Sequence, residues 1–375
     1  MSDNLTNSAT NPTPHNTCSV NKPSIYEESG VNIDAGSSAV KLMSSHARST
    51  FNEHTLSQLG SFGGLYSAKE LAKMKEAVLV SSTDGVGTKV KLASQSGIYH
   101  TVGQDIVNHC IDDILVQGAR PLFFLDYFAT NKLDPQIASE VVRGMSIACK
   151  ESGCVLIGGE TAEMPDVYLK GEFDVAGTII GVVEKDAILP KPSIKKGDIL
   201  LGLKSASPHT NGYSLIRKAF EGVDLNTVFP ELNKPLSDVL LTPHRSYLHV
   251  IHPILQKEPD LIKGIAHITG GGFPENIPRV LPKREGNVQL VAKVNTSSWK
   301  VPPLYSLIEK RLSDMGLSIE KEEMYRVFNM GIAFILIVEK EKVSHLQSLI
   351  PEETYVIGEI DEDEALESPI TRLIL

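Results

Sequence analysis

Short apolar runs alternate with amphipathic stretches along most of the chain. Apolar runs bounded by turn residues predict strands, and longer stretches with apolar residues every three or four positions predict helices. Strands are predicted at residues 77–82, 121–129, 154–158, 174–183, 199–204, 264–269, 289–294, 332–338 and 355–359. Helices are predicted at residues 104–117, 135–152, 213–219, 245–256, 303–313 and 342–349. This alternation predicts an α/β (α+β) fold.

The chain is longer than a single hydrophobic core usually supports. With 375 residues, two domains are expected. The segment PKPSIKKG at residues 190–197 is rich in Pro and Lys and follows a complete predicted strand, so we place the boundary there. Residues 1–24 are rich in Ser, Thr, Asn and Pro and are predicted to be a disordered tail. The predicted domains therefore span residues 25–189 and 190–375.

Charge and hydropathy exclude two classes of partner. A formal net charge of -10 argues against a general nucleic-acid-binding protein, which needs a basic surface. The longest apolar run, residues 332–338, is far shorter than the roughly twenty residues that a membrane-spanning helix needs. No secretory or transit signal precedes the first domain, and the four cysteines show no Cys-x-x-Cys spacing. We therefore expect a cytoplasmic protein with reduced, structural thiols.

The segment VLVSSTDGVGTKVK, residues 78–91, ends an apolar strand in an aspartate, two glycines, a threonine and a lysine. Gly85 and Gly87 allow a tight backbone whose amides approach an anion. Asp84 is a candidate ligand for a divalent cation, and Lys89 is a candidate phosphate contact. The alternative is a plain Asp-Gly turn with a solvated lysine. The segment lacks the Gly-Lys-Ser/Thr of a Walker A loop.

The predicted helix DIVNHCIDDILVQ carries a cluster of polar residues on one face. At about 100° per residue, Asp105, Asn108, His109 and Asp112 share that face, and Asp113 lies at its edge. Three acidic groups in one cluster are costly unless cations or protons neutralise them. A metal or phosphate site is one interpretation, and an ordinary amphipathic helix with a solvated acidic face is the other.

Three further segments carry candidate chemistry. In LIGGETAEMP, Glu160 lies at a strand end, where side chains of open α/β sheets meet ligands, whereas Glu163 is equally well a loop residue. In SPHTNGYSLIR, Asn211 is a candidate helix cap and His209 a candidate proton-transfer group, with an incidental histidine as the alternative. In AHITGGGFPENIPR, Arg279 follows three glycines whose amides suit a phosphate. A glycine loop without a ligand is the alternative there. In the segment EMYRVFNMG, Arg326 and Asn329 stand just before a predicted strand, and packing is their default role.

Six segments taken together resemble one enzyme family. They are DGVGTK, GARPLFFLDYFAT, GGETAEMP, PHTNGYSLIRK, TGGGFPENIPRVLP and EMYRVFNMGI. In this order they resemble the aminoimidazole ribonucleotide synthetases, also called phosphoribosylformylglycinamidine cyclo-ligases, over about residues 25–360. The resemblance implies a two-domain fold whose N-terminal sheets form a barrel across a homodimer. It also implies that formylglycinamidine ribonucleotide and ATP, with Mg²⁺, give aminoimidazole ribonucleotide, ADP and phosphate in purine biosynthesis.

The resemblance also implies roles for individual residues. The metal ligands would be Asp84, Asp113 and Glu160. The ATP or phosphate contacts would be Gly85, Gly87, Thr88, Lys89, Asp105 and Asp112. The catalytic set would be His209, Asn211, Lys89 and Asp84, and the substrate's ribose phosphate would meet Gly270, Gly271, Gly272 and Arg279. A need for K⁺ is left open.

Two departures from the family pattern bear on these roles. The family usually shows Asn-Asp where this chain has Asp112 and Asp113, which adds negative charge beside the proposed metal. A lysine often found on the first helix is replaced by Ser44, and Lys41, one turn away, is a candidate substitute. The alternatives are a small formylglycinamidine ribonucleotide synthetase-like enzyme and a catalytically silent binding scaffold of the same fold.

Overall fold

A computed structural model describes residues 30–375, so the predicted tail at residues 1–24 lies outside the described residues. The strands are β1 Ala77–Gly85, β2 Arg120–Thr130, β3 Val155–Glu163, β4 Phe173–Glu184, β5 Ile199–Lys204, β6 Ile262–His267, β7 Gln289–Asn295, β8 Ile332–Val338, β9 Thr354–Asp363 and β10 Ile370–Ile374. The helices are α1 Ile33–Arg48, α2 Lys89–Ser96, α3 His100–Leu115, α4 Pro135–Ser152, α5 Tyr213–Ala219, α6 Leu236–Leu240, α7 Leu248–Lys257, α8 Gly272–Asn276, α9 Pro303–Asp314, α10 Lys321–Val327 and α11 Val343–Leu349. No helix in this part of the chain is long and apolar enough to cross a membrane.

The first sheet has four strands in the order β1-β4-β2-β3, with β2 and β3 parallel and the other pairs antiparallel. Helices α3 and α4 pack on each other and on the sheet, and α1 packs on α4. Local signals explain α4 well. Asp134 caps its first turn by accepting a hydrogen bond from Gln136 N at 2.8 Å, and Gly153 ends it with a φ of 67°.

The second sheet has six strands in the order β10-β7-β9-β5-β8-β6. All seven residues of β8 are buried, as expected for a central strand. The predicted boundary at residues 190–197 lies between the last strand of the first sheet and the first strand of the second. The mixed α/β, two-domain prediction is confirmed, whereas α2, α6, α10 and β10 were not predicted and α8 begins two residues before the expected Pro274.

The polar face of α3 is buried between the two domains and is not the solvated face that the alternative interpretation expected. Asp105 accepts a hydrogen bond from His244 N at 2.6 Å, and Asp112 accepts one from Tyr247 N at 2.9 Å. Asn108 Nδ2 donates to His244 O at 2.7 Å. The side chains of α3 therefore pair with the backbone that leads into α7, which fixes the second domain against the first.

Lys89 completes this interface from the start of α2. Its side chain is fully buried, and Nζ lies 2.8 Å from Asp105 Oδ2. Nζ also donates to His209 O at 3.1 Å and to Thr242 O at 3.0 Å, so acceptors from both domains take all three of its protons. Burial lowers the pKa of Lys89 and raises that of Asp105, and in each case burial outweighs the partner's charge.

Removing Lys89 should therefore be costly. We expect Lys89→Met to lower the free energy of unfolding by about 3–5 kcal/mol, because it leaves the buried Asp105 carboxylate without its counter-charge and two carbonyls without a donor. Urea denaturation followed by circular dichroism measures this. Lys75→Met, which removes an exposed pair with Asp186, is the matched control and should leave the midpoint unchanged. Equal midpoints for the two variants would contradict the interface role of Lys89.

Candidate active site between the domains

A cleft of about 580 Å³ lies where the edge strand β1 faces the end of β6. Asp113 and Ser82 line it from the first domain. His267, Thr269 and Arg279 line it from the second. The cleft therefore joins carboxylate and guanidinium groups from elements that the domain interface holds in place.

Carboxylates and imidazoles form a connected network at the wall of this cleft. His109 Nε2 lies 3.0 Å from Asp84 Oδ2 and 3.7 Å from Asp113 Oδ2, so both carboxylates flank one nitrogen. Asp113 Oδ1 lies 2.9 Å from His267 Nδ1, and Ser82 Oγ donates to Asp113 Oδ2 at 3.1 Å. The Asp84 and Asp113 side chains keep 40% and 26% of their surface exposed, so they remain accessible to a ligand.

The electrostatics favour ionised carboxylates in this network. Burial raises the pKa of Asp84 and Asp113, but hydrogen bonds and charges from His109 and His267 outweigh it, so both pKa values lie below the usual range. Burial lowers the pKa of His109, and the two aspartates raise it by more, so its pKa is raised. Two ionised carboxylates at a half-exposed position are hard oxygen ligands of the kind that Mg²⁺ prefers.

The glycine loop borders a neighbouring groove that also contains Gly212 and Glu275. Asn276 Nδ2 donates to the carbonyls of Thr269, Gly270 and Gly272, at 3.3, 3.2 and 2.8 Å, and so fixes the loop from inside. Gly272 has a φ of 57°, and a Cβ there would lie 2.0 Å from Tyr325 O, so only glycine fits. The Asn211 side chain lies beside the loop, since Oδ1 would be 3.7 Å from a Cβ at Gly270.

Glu160 lies in a different cavity, of about 330 Å³, at the opposite edge of the first sheet. Asp126 lines the same cavity, and burial raises its pKa to about 7, with a further contribution from the Glu160 charge. A Cβ at Gly159 would meet Asp126 Oδ1 at 2.0 Å, so glycine there makes room for this carboxyl. Ser44 lines the cavity and its hydroxyl donates to Val40 O, whereas Lys41 is not among the lining residues.

The structure thus brings some of the predicted site residues together and separates others. Asp84 and Asp113 both flank His109, and Asp113 lines the cleft, but Glu160 does not join them, because β1 and β3 are the two edges of the sheet. Three predicted ATP contacts, Lys89, Asp105 and Asp112, are fully buried in the domain interface. These three side chains are paired with protein groups across the interface, and their contact with ATP stays a prediction.

The remaining predicted residues lie around these sites. Gly85 N donates to Asp84 Oδ1 at 2.7 Å, and Gly87 has a φ of 69° at the turn into α2. The Thr88 hydroxyl bridges the domains through Ser214 Oγ at 3.2 Å. His209 is fully buried with a φ of 60°, and its proton transfer to substrate stays a prediction.

Packing accounts for Asn329, as the default role expected. Asn329 Nδ2 donates to Ser207 O at 2.9 Å, which holds the loop that carries His209, and it is almost completely buried. Arg326 lies on the surface beside the glycine loop, where its Nε and Nη2 donate to the Glu275 carboxylate.

Sequence reasoning missed His244, His267 and Asp126 as site residues. His267 stands directly before the glycine loop, which was a usable signal, and Asp126 lies in the quoted GARPLFFLDYFAT segment. His244 has no local signal, because only tertiary packing places it against Asp112 and His209.

Comparison with known proteins identifies the relatives of this chain. The profile described as AIR synthase related protein, N-terminal domain, matches residues 69–183, and the corresponding C-terminal domain profile matches residues 195–370. A phosphoribosylformylglycinamidine cyclo-ligase of Thermoanaerobacter sp. (strain X514) is 48% identical over 345 residues, which cover 90% of this chain and 98% of that protein. A protein of the same name from Desulfitobacterium hafniense (strain DSM 10664 / DCB-2) is 46% identical over 338 residues, covering 89% and 96%.

Solved structures share the fold at low sequence identity. The hydrogenase maturation protein HypE superposes with a TM-score of 0.60 at 16% identity, covering 88% of this chain and 93% of that one. A thiamine-monophosphate kinase from Stenotrophomonas maltophilia K279a gives a TM-score of 0.59 at 15% identity, covering 90% and 96%. A HypE structure in complex with ATP gives a TM-score of 0.57 at 16% identity, covering 88% and 89%. These likenesses concern the fold alone.

Proposed function

Because the chain belongs to the AIR synthase related protein family, we propose that it is an ATP-dependent phosphoribosylformylglycinamidine cyclo-ligase of purine biosynthesis. The reaction converts formylglycinamidine ribonucleotide and ATP into 5-aminoimidazole ribonucleotide, ADP and phosphate. The observation that carries this proposal beyond family membership is the pair of ionised carboxylates, Asp84 and Asp113, beside a cleft that also holds Arg279.

The chemistry sets what the site has to do. An amide oxygen is a poor leaving group, so its attack on the γ-phosphorus of ATP converts it into a phosphate ester and releases ADP. A nitrogen of the amidine then attacks the activated carbon, the C–O bond breaks, and phosphate leaves as the ring closes. Positioning of the two substrates and neutralisation of phosphate charge supply most of the catalysis in such transfers.

The donor set at the cleft fits Mg²⁺. Asp84 and Asp113 present ionised oxygens that are partly exposed, and a bound Mg²⁺ would neutralise the phosphate charge of ATP there. His109 lies between the carboxylates and orients them, while its Nδ1 hydrogen-bonds Thr210 Oγ1 at 2.8 Å. The third predicted ligand, Glu160, is out of reach within one chain.

We assign the substrate's ribose phosphate to a binding surface on the second domain. Arg279 lines the cleft and offers a planar fork of donors for a phosphate. Asn276 lines the cleft as well and fixes the glycine loop, so the loop's position is tied to the cleft wall. Asn211 lies beside the loop, and its buried Nδ2 has no hydrogen-bond partner among the described residues, which leaves this donor available to substrate.

A homodimer would complete the first domain. Both edge strands, β1 and β3, are open, and the sheet face opposite α3 carries Leu79 and Tyr127, whose exposed fractions are 62% and 36%. Apolar side chains on an open sheet are normally covered by a partner. Pairing with a second copy would cover this face, and Glu160 of the partner subunit is then our candidate for the third metal ligand. The need for K⁺ and the cytoplasmic location stay predictions.

The direct test is turnover of the purified chain. We expect formylglycinamidine ribonucleotide, ATP and Mg²⁺ to give ADP and aminoimidazole ribonucleotide in equal amounts. Asp84→Asn should lower kcat/KM by at least about 100-fold, because a phosphate-neutralising ligand is lost. Asp186→Asn, which changes an exposed aspartate that does not line the cleft, is the matched control.

The products separate the alternatives. ADP without the imidazole would favour another ATP-dependent reaction, such as that of a small formylglycinamidine ribonucleotide synthetase-like enzyme. Neither product, together with no protection against heat by Mg²⁺ and ATP, would favour a silent scaffold, since a ligand that binds the folded state must stabilise it.

Arg279 should bind the ribonucleotide substrate and not ATP. We expect Arg279→Ala to raise the KM for formylglycinamidine ribonucleotide roughly 10- to 100-fold, as expected for losing a charge-assisted hydrogen bond, with the KM for ATP nearly unchanged. Arg284→Ala, which removes a guanidinium paired with Glu362 outside the cleft, is the control. An equal effect of Arg279→Ala on both KM values would remove this assignment.

The molecular mass of the protein in solution tests the dimer proposal. We expect Leu79→Glu to convert a dimer into a monomer in light scattering coupled to gel filtration, because it places a charge on the apolar sheet face. Leu317→Glu, at a position 44% exposed after α9, should leave the dimer intact. A Leu79→Glu chain that keeps dimeric mass would show that this face is not the interface.

A further inference from the structure

Three histidines lie close together in the domain interface, next to the cleft. They are His209, His244 and His267, here called the imidazole cluster, and each is buried. One nitrogen from each lies within 4.8 Å of the others. The ring centroids of His209 and His244 are 3.8 Å apart, and those of His244 and His267 are 5.1 Å apart.

The nitrogens of this cluster lack hydrogen-bond partners among the described residues. Both ring nitrogens of His209, both of His244 and Nε2 of His267 are buried without a partner. A buried polar atom left unsatisfied costs about 1–3 kcal/mol, and such atoms are rare in folded proteins. Several of them facing one another indicate a ligand that is part of the folded molecule.

Carboxylates of α3 stand behind two of the imidazoles. Asp113 Oδ1 lies 2.9 Å from His267 Nδ1, which leaves Nε2 of that ring facing the cluster. Asp112 Oδ2 lies 3.3 Å from His244 Nε2, within ion-pair distance but without hydrogen-bond geometry. A carboxylate that accepts from one nitrogen of a histidine while the other nitrogen faces a common point is the usual outer shell of a metal-binding histidine.

We propose that the imidazole cluster binds one divalent transition-metal ion of the zinc class. Neutral imidazole nitrogens suit Zn²⁺, Co²⁺ or Ni²⁺ and are poor ligands for Mg²⁺. Zinc–nitrogen bonds of about 2.0–2.1 Å place neighbouring tetrahedral ligands roughly 3.3 Å apart, so the three nitrogens have to close by at most roughly 1.5 Å. Small rotations of imidazole rings cover that distance.

Burial disfavours the charged form of these imidazoles. It lowers the pKa of His209, His244 and His267, against the hydrogen bond to Asp113 in the case of His267. Titratable groups of both kinds surround the cluster. The acidic groups are Asp84, Asp105, Asp112 and Asp113, and the basic groups are Lys89, Arg245 and His109.

The site would be structural and distinct from the Mg²⁺ position at Asp84. All three ligands belong to the second domain, and the carboxylates that orient two of them belong to α3 of the first. A bound ion would therefore strengthen the contact between the domains. It would also fix His267, whose partner Asp113 lines the cleft.

Cobalt is the probe for this site, because tetrahedral Co²⁺ absorbs visible light. The full chain is stripped with dipicolinate and titrated with CoCl₂. We expect one Co²⁺ per chain, with visible bands that Zn²⁺ abolishes and millimolar Mg²⁺ does not, and a higher Tm for the loaded protein. His244→Gln should weaken Co²⁺ binding at least about 10-fold, whereas His345→Gln, at an exposed pair with Glu258, should leave it unchanged.

Two further variants ensure that the result tests the imidazole cluster itself. The titration is repeated in a chain carrying His15→Gln and Cys18→Ser, so that possible ligands outside the described residues do not contribute. His267→Gln replaces His244→Gln if the latter does not fold by circular dichroism. Failure of the folded, stripped chain to bind Co²⁺ or Zn²⁺ at roughly 100 µM overturns the proposal, since structural zinc sites bind far more tightly. Co²⁺ binding that the His244 and His267 variants keep also overturns it.

Discussion

The buried ion pair between Lys89 and Asp105 is the interaction on which the two-domain arrangement depends. Burial alone would drive both groups toward their neutral forms, and such a pair adds little net stability compared with apolar packing. Its value lies in geometry. Lys89 also binds the carbonyls of His209 and Thr242, so the three donors of Lys89 are all paired in only one relative position of the two domains.

The same helix carries the interface and the site. On α3, Asp105 and Asn108 hold the backbone around His244, while Asp113, two turns later, reaches the cleft. Because the helix is rigid, the hydrogen bonds that fix Asp105 and Asn108 also fix the position of the Asp113 carboxylate. The site's geometry therefore depends on hydrogen bonds made more than a turn away from it.

The elements of the fold that could be predicted from sequence are those whose signals lie within a few neighbouring residues. The limits of α4 follow from Asp134 and Gly153, and β8 follows from an unbroken apolar run, so sequence alone placed both. The polar face of α3 was recognised, but its partner was not, because periodicity reports which residues share a face and never what covers it. The same limit separated Glu160 from Asp84, since strand order decides whether two strand ends meet.

The adjacent residues Asp112 and Asp113 show how one short segment serves two kinds of site. Neighbouring side chains on a helix diverge by about 100°, so one carboxyl faces His244 and the other faces His109 and His267. Asp112 is fully buried and meets no cleft, and burial raises its pKa well above the usual range, so the extra charge expected beside the Mg²⁺ position is directed away from it. Asp112 thereby faces only the buried imidazole site, whereas Asp113 connects the hard oxygen site to that cluster through His267.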